Sequence, residues 1–130
     1  MDRSWRNPNL LVWHGRLQLI DHGATLTFHH SWASTASPPA RPYDASAHAL
    51  RGSRPDVAAA DEDLGPRVTE ALVRAAVDEV PEVWLHDEPR FADVAAVRAA
   101  YVERVLARHA ARASWVPPLV AAVAAPGSAA

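Results

Sequence analysis

Two short apolar runs that flank His14-Gly15 constrain the fold of this chain more than any other feature. An X-Gly pair between such runs is a signal for a two-residue β-hairpin turn. That turn fixes the register, which pairs Trp13 with Arg16, Val12 with Leu17, Leu11 with Gln18 and Leu10 with Leu19. Because side chains alternate along a strand, one side of this hairpin is wholly apolar, and the pattern predicts that this side lies on a core.

Beyond a Ser-, Ala- and Pro-rich loop at 31–42, the pattern becomes helical. Asp44 can cap a short helix that ends at Gly52, and Asp56 can cap another that runs toward Leu64. Thr69 precedes an apolar stripe with helical spacing, which Pro81 stops. The sequence therefore predicts a mainly α fold with one N-terminal hairpin.

The longest helix is predicted at about 92–112. Its buried edge is expected to contain Val94, Val97, Tyr101, Val105 and the Arg108/His109 pair, with Arg98, Glu103, Arg104 and Arg112 outside. Its arginines, Arg108 included, are most simply its solvated face. Pro117-Pro118 is expected to end regular structure, which leaves 117–130 as a flexible tail.

Composition narrows the class of protein. A chain of 130 residues has room for one domain, and its net charge of -2 gives no electrostatic reason to expect nucleic acid or an anionic membrane as partner. Cysteine is absent, which excludes disulfides and thiolate metal sites. No stretch has the apolar length of a signal peptide or a membrane span, so a soluble, cytoplasmic protein is expected.

Three polar residues stand out because of where the hairpin places them. Asp2 and Asn7 precede it, and Asp21 follows its second strand within Asp21-His22-Gly23. The order D-x-x-x-x-N, hairpin, D-x-G matches that of kinase catalytic lobes. In that chemistry the first Asp orients a hydroxyl near the γ-phosphate, while the Asn and the second Asp are oxygen ligands of Mg²⁺. The alternative interpretation of the same spacing is that all three are ordinary loop residues.

The chain also resembles the HipA-like kinases of actinobacteria. The specific similarity lies in four stretches, namely Asp2 to Leu11, Trp13 to Leu17, Leu19 to Ala24 and Phe28 to Trp32. Looser similarity extends to Trp115, through Arg74 to Val77, Val80 to Leu85 and Arg98 to Val102. The resemblance implies a partial protein-kinase-like C-lobe at 1–116, made of a catalytic loop at 1–9, the hairpin at 10–20, a metal-binding turn at 21–23 and a helical part at 44–112.

This resemblance also implies a reaction, which is phosphoryl transfer from Mg²⁺-ATP to a hydroxyl of a protein or small molecule. Asp2 would be the catalytic residue, and Asn7 and Asp21 would hold Mg²⁺ and through it ATP. His22 replaces the aromatic residue of D-F-G and is expected at a packing or hinge position. Arg3 and Arg6 flank the loop, where they could contact phosphate or form a solvated or salt-bridged loop.

The kinase parts that precede a catalytic loop are not found in this sequence. They are the Gly-rich loop over the phosphates and a lysine, and all thirteen basic residues here are arginine. We therefore expect the chain to be inactive alone. Met1 directly before Asp2 suggests a wrongly assigned start or a gene remnant, which upstream sequence would decide. A missing N-lobe, or self-association through exposed apolar surface, is the expected partner.

Two other hypotheses remain open. The first is a non-catalytic helical interaction module, and the second is a metal-dependent hydrolase that uses Asp2, Asp21 and the histidines. His14, His22, His29 and His30 are close in sequence, but His29 and His30 would point opposite ways on a strand, so structural roles are favoured over zinc. Core or lobe-interface positions are expected for the tryptophans, Trp5, Trp13, Trp32, Trp84 and Trp115, with Trp5 exposed if no N-lobe lies above it.

Overall fold

The structure, a computed structural model, describes residues 3–23, 25–32 and 38–125. Within these ranges the fold is mainly helical with one antiparallel hairpin near the N-terminus, as predicted. The strands and α-helices are β1 Leu10–Trp13, β2 Arg16–Leu19, α1 Val57–Leu64, α2 Glu70–Asp78, α3 Val94–Ala110 and α4 Arg112–Ala124. Short 3-10 helices lie at Thr27–Ser31, Arg51–Ser53, Gly65–Arg67 and Glu82–Trp84.

The hairpin has the predicted register. All four predicted pairs are present, from Leu10 with Leu19 at the base to Trp13 with Arg16 at the turn. His14 and Gly15 both have positive φ, 49° and 73°. Positive φ at both central residues defines the type I′ turn, whose twist matches that of the strands it joins. The local sequence is therefore sufficient to set this element.

The expectation that the apolar side of the hairpin lies on a core is wrong. Val12, Leu17 and Leu19 on that side are 67%, 51% and 56% exposed. The strands pair with each other, and neither makes an extensive contact with a described helix. Alternation of side chains determines which residues share a side, but it does not determine what covers that side. An isolated two-stranded hairpin is only marginally stable in water, and this hairpin has few contacts with the described helices to stabilise it.

Most predicted helix starts are confirmed by side-chain caps. The Asp56 carboxylate accepts from Ala59 N at 2.9 Å, and the Thr69 hydroxyl accepts from Leu72 N at 3.2 Å. The long helix α3 is capped by Asp93, and its Val97 is buried as predicted. The helix predicted from Asp44 to Gly52 is wrong. The Asp44 carboxylate accepts from the amide only two residues on, which closes a local Asx turn that competes with helix.

The arginines expected on the solvated face of α3 and just after it are not free in solvent. Arg98 donates to the carbonyls of Val77 and Val80 at the end of α2. Each of the other three contacts a group from another part of the chain: Arg104 lies over the Phe28 ring, Arg108 donates to Pro39 O and Arg41 O, and Arg112 pairs with Asp61. Helical spacing places these residues on one side correctly, but long side chains reach neighbours that spacing cannot show.

The predicted end of regular structure at Pro117-Pro118 is also wrong, because α4 continues to Ala124. The two prolines lie in the middle of this helix, where they remove two backbone donors, but their fixed φ is helical. Val116 and Val123, seven residues apart on the same side, are both buried. Arg51 Nε also donates to Ala122 O at 3.1 Å. Tertiary contacts therefore hold residues 117–124 in the fold, and the prediction of a flexible tail is wrong for them. The last five residues of that tail lie outside the described residues.

The core is small for a chain of this length. Its buried apolar members among the described residues are Ala45, Ala49, Val73, Leu85, Val97, Val102, Val116 and Val123. Large apolar side chains within the described ranges remain exposed, among them Val12, Trp13, Leu17, Val83 and Trp84. This part of the chain therefore presents apolar side chains that the core of a compact domain would cover.

Candidate functional site

The segment before the hairpin is a tight turn anchored to a distant loop. Asn7 N donates to both the carbonyl and the hydroxyl of Ser4, at 3.1 Å and 3.2 Å. Trp5 N donates to Ala47 O, and Ala49 N donates to Arg3 O at 2.8 Å. These main-chain bonds hold the predicted catalytic loop, as far as the structure describes it, against residues 45–49. Asp2, the predicted catalytic residue, lies outside the described residues.

The base of the hairpin brings the turn and the predicted metal-binding segment together. Ile20 N donates to Asn9 O at 3.0 Å, which extends the ladder by one step. The Asn9 side chain then donates through Nδ2 to Asp21 O at 3.1 Å. Asn9 is only 8% exposed, so this bond is shielded from water. The structure therefore places Asn7 and Asp21 at the same end of the hairpin, as their positions in the sequence predict.

Asn9 was missed by the sequence reasoning, although it is the residue that links the two strands' ends. Its φ is 47° and that of Asp21 is 48°, so both adopt the left-handed conformation. Asn and Asp tolerate this conformation better than most side chains, and an Asn or Asp at each end of a hairpin is the signal that could have identified the pair. Two of the four described non-glycine residues with positive φ therefore lie at this end of the hairpin, and the other two are His14 and Arg54.

The Asp21 carboxylate is exposed, with glycine as its near neighbour. A Cβ at Gly23 would lie 3.6 Å from Asp21 Oδ1, in van der Waals contact with it. Glycine therefore leaves this oxygen open to a ligand from that direction. The exposed Asn7 amide lies two residues before Asn9 on the other segment. A carboxylate oxygen and an amide oxygen at one rim are the hard donors that Mg²⁺ prefers.

Arg3 places a positive charge beside the same turn. Its Nη2 lies 3.1 Å from Nδ1 of His22. Since a guanidinium is only a donor, His22 Nδ1 is the acceptor in this contact. His22 is therefore exposed and makes a polar contact with Arg3, although packing was one of the two roles expected for it. The second flanking arginine, Arg6, is exposed, as a solvated loop residue would be.

The four N-terminal histidines do not form one cluster. His14 lies at the tip of the hairpin, about 17 Å along the strand from the turn that holds His22. His29 and His30 lie in a 3-10 helix rather than a strand, and their Nε2 atoms approach to 3.1 Å. The expectation that they point opposite ways is therefore wrong. Burial, and secondarily the charge of His30, lower the pKa of His29.

The metal-dependent hydrolase hypothesis gains no support from the described residues. They contain no group of three or more His, Asp or Glu side chains that could hold a metal ion together. Asp2, another residue of that hypothesis, lies outside the described residues.

The tryptophans are only partly at the core or interface positions expected of them. Trp5, Trp13 and Trp84 are 69%, 61% and 76% exposed, while Trp32 and Trp115 are half-buried.

An open pocket of about 450 Å³ lies before and along the start of α3, where the sequence indicated nothing. Its polar lining includes His86, Glu88 and Asp93. Asp93 caps α3, and the Glu88 carboxylate accepts from Trp32 Nε1 at 3.0 Å. These two carboxylates are therefore already used within the fold, which favours the hairpin end as the candidate site.

No protein-family model, curated protein or solved structure matches the chain. The resemblance to HipA-like kinases therefore stays a prediction. None of the helices within the described ranges is long and apolar enough to cross a membrane.

Proposed function

We propose that this chain contains the metal-binding half of a HipA-like kinase phosphoryl-transfer site. In the complete site, ATP would give its γ-phosphate to a hydroxyl. Asp2 would orient that hydroxyl, and Asn7 and Asp21 would hold Mg²⁺ on the nucleotide phosphates. This chain alone binds Mg²⁺-ATP weakly and does not transfer phosphate.

The observation that carries this proposal is that two separate segments of the chain meet at the base of the hairpin. The Asn9–Asp21 bond and the Ile20–Asn9 bond join the ends of the strands. These bonds are made by the Asn9 side chain and by main-chain groups. They keep the segment that contains Asn7 and the segment that begins at Asp21 at one end of the hairpin, and this proximity is what supports the proposal.

The residues at this end fit Mg²⁺ better than a softer metal. Mg²⁺ takes oxygen ligands, keeps several waters, and is usually held by one or two carboxylates together with substrate phosphates. Asn7 and Asp21 offer one amide oxygen and one carboxylate at the surface, and this is too few for a dedicated protein cage. When bound, Mg²⁺ neutralises phosphate charge, and the role of these side chains is to hold and orient it.

The expectation of inactivity rests on the residues of the chain itself. Phosphoryl transfer depends almost entirely on positioning and electrostatic stabilisation. A lysine that reaches the phosphates is part of that machinery in kinases, and the chain has no lysine. Arg3 is engaged with His22, and its planar guanidinium does not reproduce a flexible ammonium.

Calorimetry with Mg²⁺-ATP tests this proposal. We expect the chain to give a binding heat that requires both Mg²⁺ and ATP and is lost in Asp21→Ala, while no ADP forms with either protein. Asp63→Ala is the matched control, since Asp63 is also an exposed carboxylate but lies on α1. Heat of equal size in the Asp21→Ala variant, or no heat from the unsubstituted chain, would contradict the proposal.

A second candidate function, the non-catalytic interaction module, is favoured by large apolar side chains that are exposed among the described residues. They include Val12, Trp13, Leu17, Leu19, Val83 and Trp84. Four of them lie on the hairpin, and apolar side chains grouped on a surface mark interaction sites. The two candidates differ in what they predict for nucleotide, because a simple interaction module gives no heat with Mg²⁺-ATP.

A further inference from the structure

The 3-10 helix Thr27–Ser31 brings two adjacent histidines into a chelating arrangement. A 3-10 helix has three residues per turn, so neighbouring side chains leave the axis about 120° apart rather than on opposite sides, as in a strand. The imidazoles of His29 and His30 turn toward each other, with centroids 4.1 Å apart and planes at 75°. Their Nε2 atoms are 3.1 Å apart, and these are the ring atoms farthest from the backbone.

This separation suits two nitrogen ligands on one metal ion. Zinc–nitrogen bonds are about 2.0–2.1 Å long, so two ligands lie about 3.3 Å apart at a tetrahedral angle and about 2.9 Å apart at a right angle. The observed 3.1 Å lies between these values. Without metal, one Nε2–H can donate to the other Nε2. When a metal binds, the proton of that Nε2 moves to Nδ1 of the same ring. Both rings are then neutral Nδ1–H tautomers with a free Nε2 lone pair, and the pair keeps its net charge.

The fold supports this pair from one side and leaves it open on the other. Phe28 packs against Trp32 and Tyr101, with ring centroids 5.2 Å and 5.7 Å away, which fastens the 3-10 helix to α3. The ring of His29 is half-buried and lies 6.4 Å from that of Tyr101. His30 is exposed. One ligand is therefore held in place, while the other gives an ion access from solvent, both of which a metal site requires.

We propose that His29 and His30 together chelate one divalent transition-metal ion, Zn²⁺ or Cu²⁺, through their Nε2 atoms. Imidazole nitrogens select such ions over Mg²⁺, so this site is chemically separate from the oxygen ligands Asn7 and Asp21. No third His, Asp or Glu joins the pair within the described ranges. The remaining positions are therefore filled by water or by the same pair of a second chain. With two protein ligands the affinity is micromolar, far weaker than that of a structural zinc site.

Titration with Zn²⁺ alone, followed by calorimetry, tests this inference. We expect one strong equivalent per chain, or one per two chains if two copies share the ion. His30→Gln is the informative variant, because His30 is exposed and its replacement leaves the aromatic packing of Phe28 intact. Loss of even an indirect partner of a metal ligand costs about 10–100-fold in affinity. Loss of a ligand itself should weaken binding at least that much.

His86→Gln is the matched control, since His86 is equally exposed but lies on a different segment. It should bind Zn²⁺ as the unsubstituted chain does, and an excess of Mg²⁺ should not compete. Amide spectra of both variants check that the fold is kept. Absence of micromolar Zn²⁺ binding by the unsubstituted chain would overturn the inference. A His86→Gln variant that loses as much affinity as His30→Gln would overturn it as well.

Discussion

Replacement of Arg98 with alanine is expected to lower the free energy of unfolding by about 3 kcal/mol. The guanidinium donates to Val77 O and to Val80 O, the second at 2.7 Å, and its side chain is only 18% exposed. Val80 O lies just beyond the end of α2, where backbone acceptors have no partner within the helix. Val77 O, in the last turn, also accepts from Val80 N at 3.2 Å, so the loss falls mainly on Val80 O. Hydrogen bonds from charged donors contribute about 1.5–3 kcal/mol each when their loss leaves a partner unsatisfied.

Arg74→Ala is the matched control for this measurement. Arg74 lies on α2 and forms an exposed i,i+4 pair with Glu70 at 2.7 Å. Exposed pairs of this kind contribute about 0.3–0.5 kcal/mol. Urea denaturation should separate the two variants clearly, because the total stability of a small domain is about 5–15 kcal/mol. Equal losses in both variants would contradict the role given to Arg98 in joining α2 to α3.

Replacement of Asn9 with alanine is expected to cost about 2–3 kcal/mol and to loosen the candidate site. Two terms contribute. The lost bond from Nδ2 to Asp21 O accounts for about 1 kcal/mol, and alanine at a φ of 47° costs about 1–2 kcal/mol more. Thermal or urea denaturation measures the total. Binding of Mg²⁺-ATP should weaken in parallel, because Asp21 loses the group that holds its backbone.

Asn9→Gly separates these two terms. Glycine accepts positive φ at no steric cost, so this variant should lose the hydrogen bond but not the conformational term. We expect it to be more stable than Asn9→Ala and less stable than the unsubstituted chain. If both variants matched the unsubstituted chain, the bond between Asn9 and Asp21 would contribute nothing to the site.

Elements that depend on local chemistry were predicted well from the sequence. The hairpin is set by two residues of the turn and by alternation along its strands, and its four pairs are as predicted. Asp56 and Thr69 cap their helices because short polar side chains reach the first free amides. In each case the decisive interaction is made within a few residues of the sequence.

Elements that depend on distant contacts could not be predicted in the same way. The prolines of α4 indicate a break, but burial of Val116 and Val123 holds the helix together. The arginines on and after α3 fit a solvated face by spacing, yet Arg98 and Arg112 bind partners more than ten residues away. The exposed hairpin is the reverse case, in which the sequence indicates a core contact that the described residues do not supply.

Asn7 and Asp21 both lie at the base of the hairpin, as their positions in the sequence predict, and their role as metal ligands stays a prediction. The link through Asn9 was not expected, because it depends on a side chain bonded to a carbonyl twelve residues away. The histidine pair was misjudged, since the sequence suggested a strand where the chain forms a 3-10 helix.

The most direct test of the central claim, that Asn7 and Asp21 hold the metal of a nucleotide, is line broadening by Mn²⁺ in amide spectra recorded with ATP. Mn²⁺ takes the same oxygen ligands as Mg²⁺ and broadens signals only near where it binds. We predict selective broadening at Asn7 and at residues 20–23, and its loss in Asp21→Asn. Broadening centred instead on the acidic residues of α1, or unchanged in Asp21→Asn, would contradict the claim.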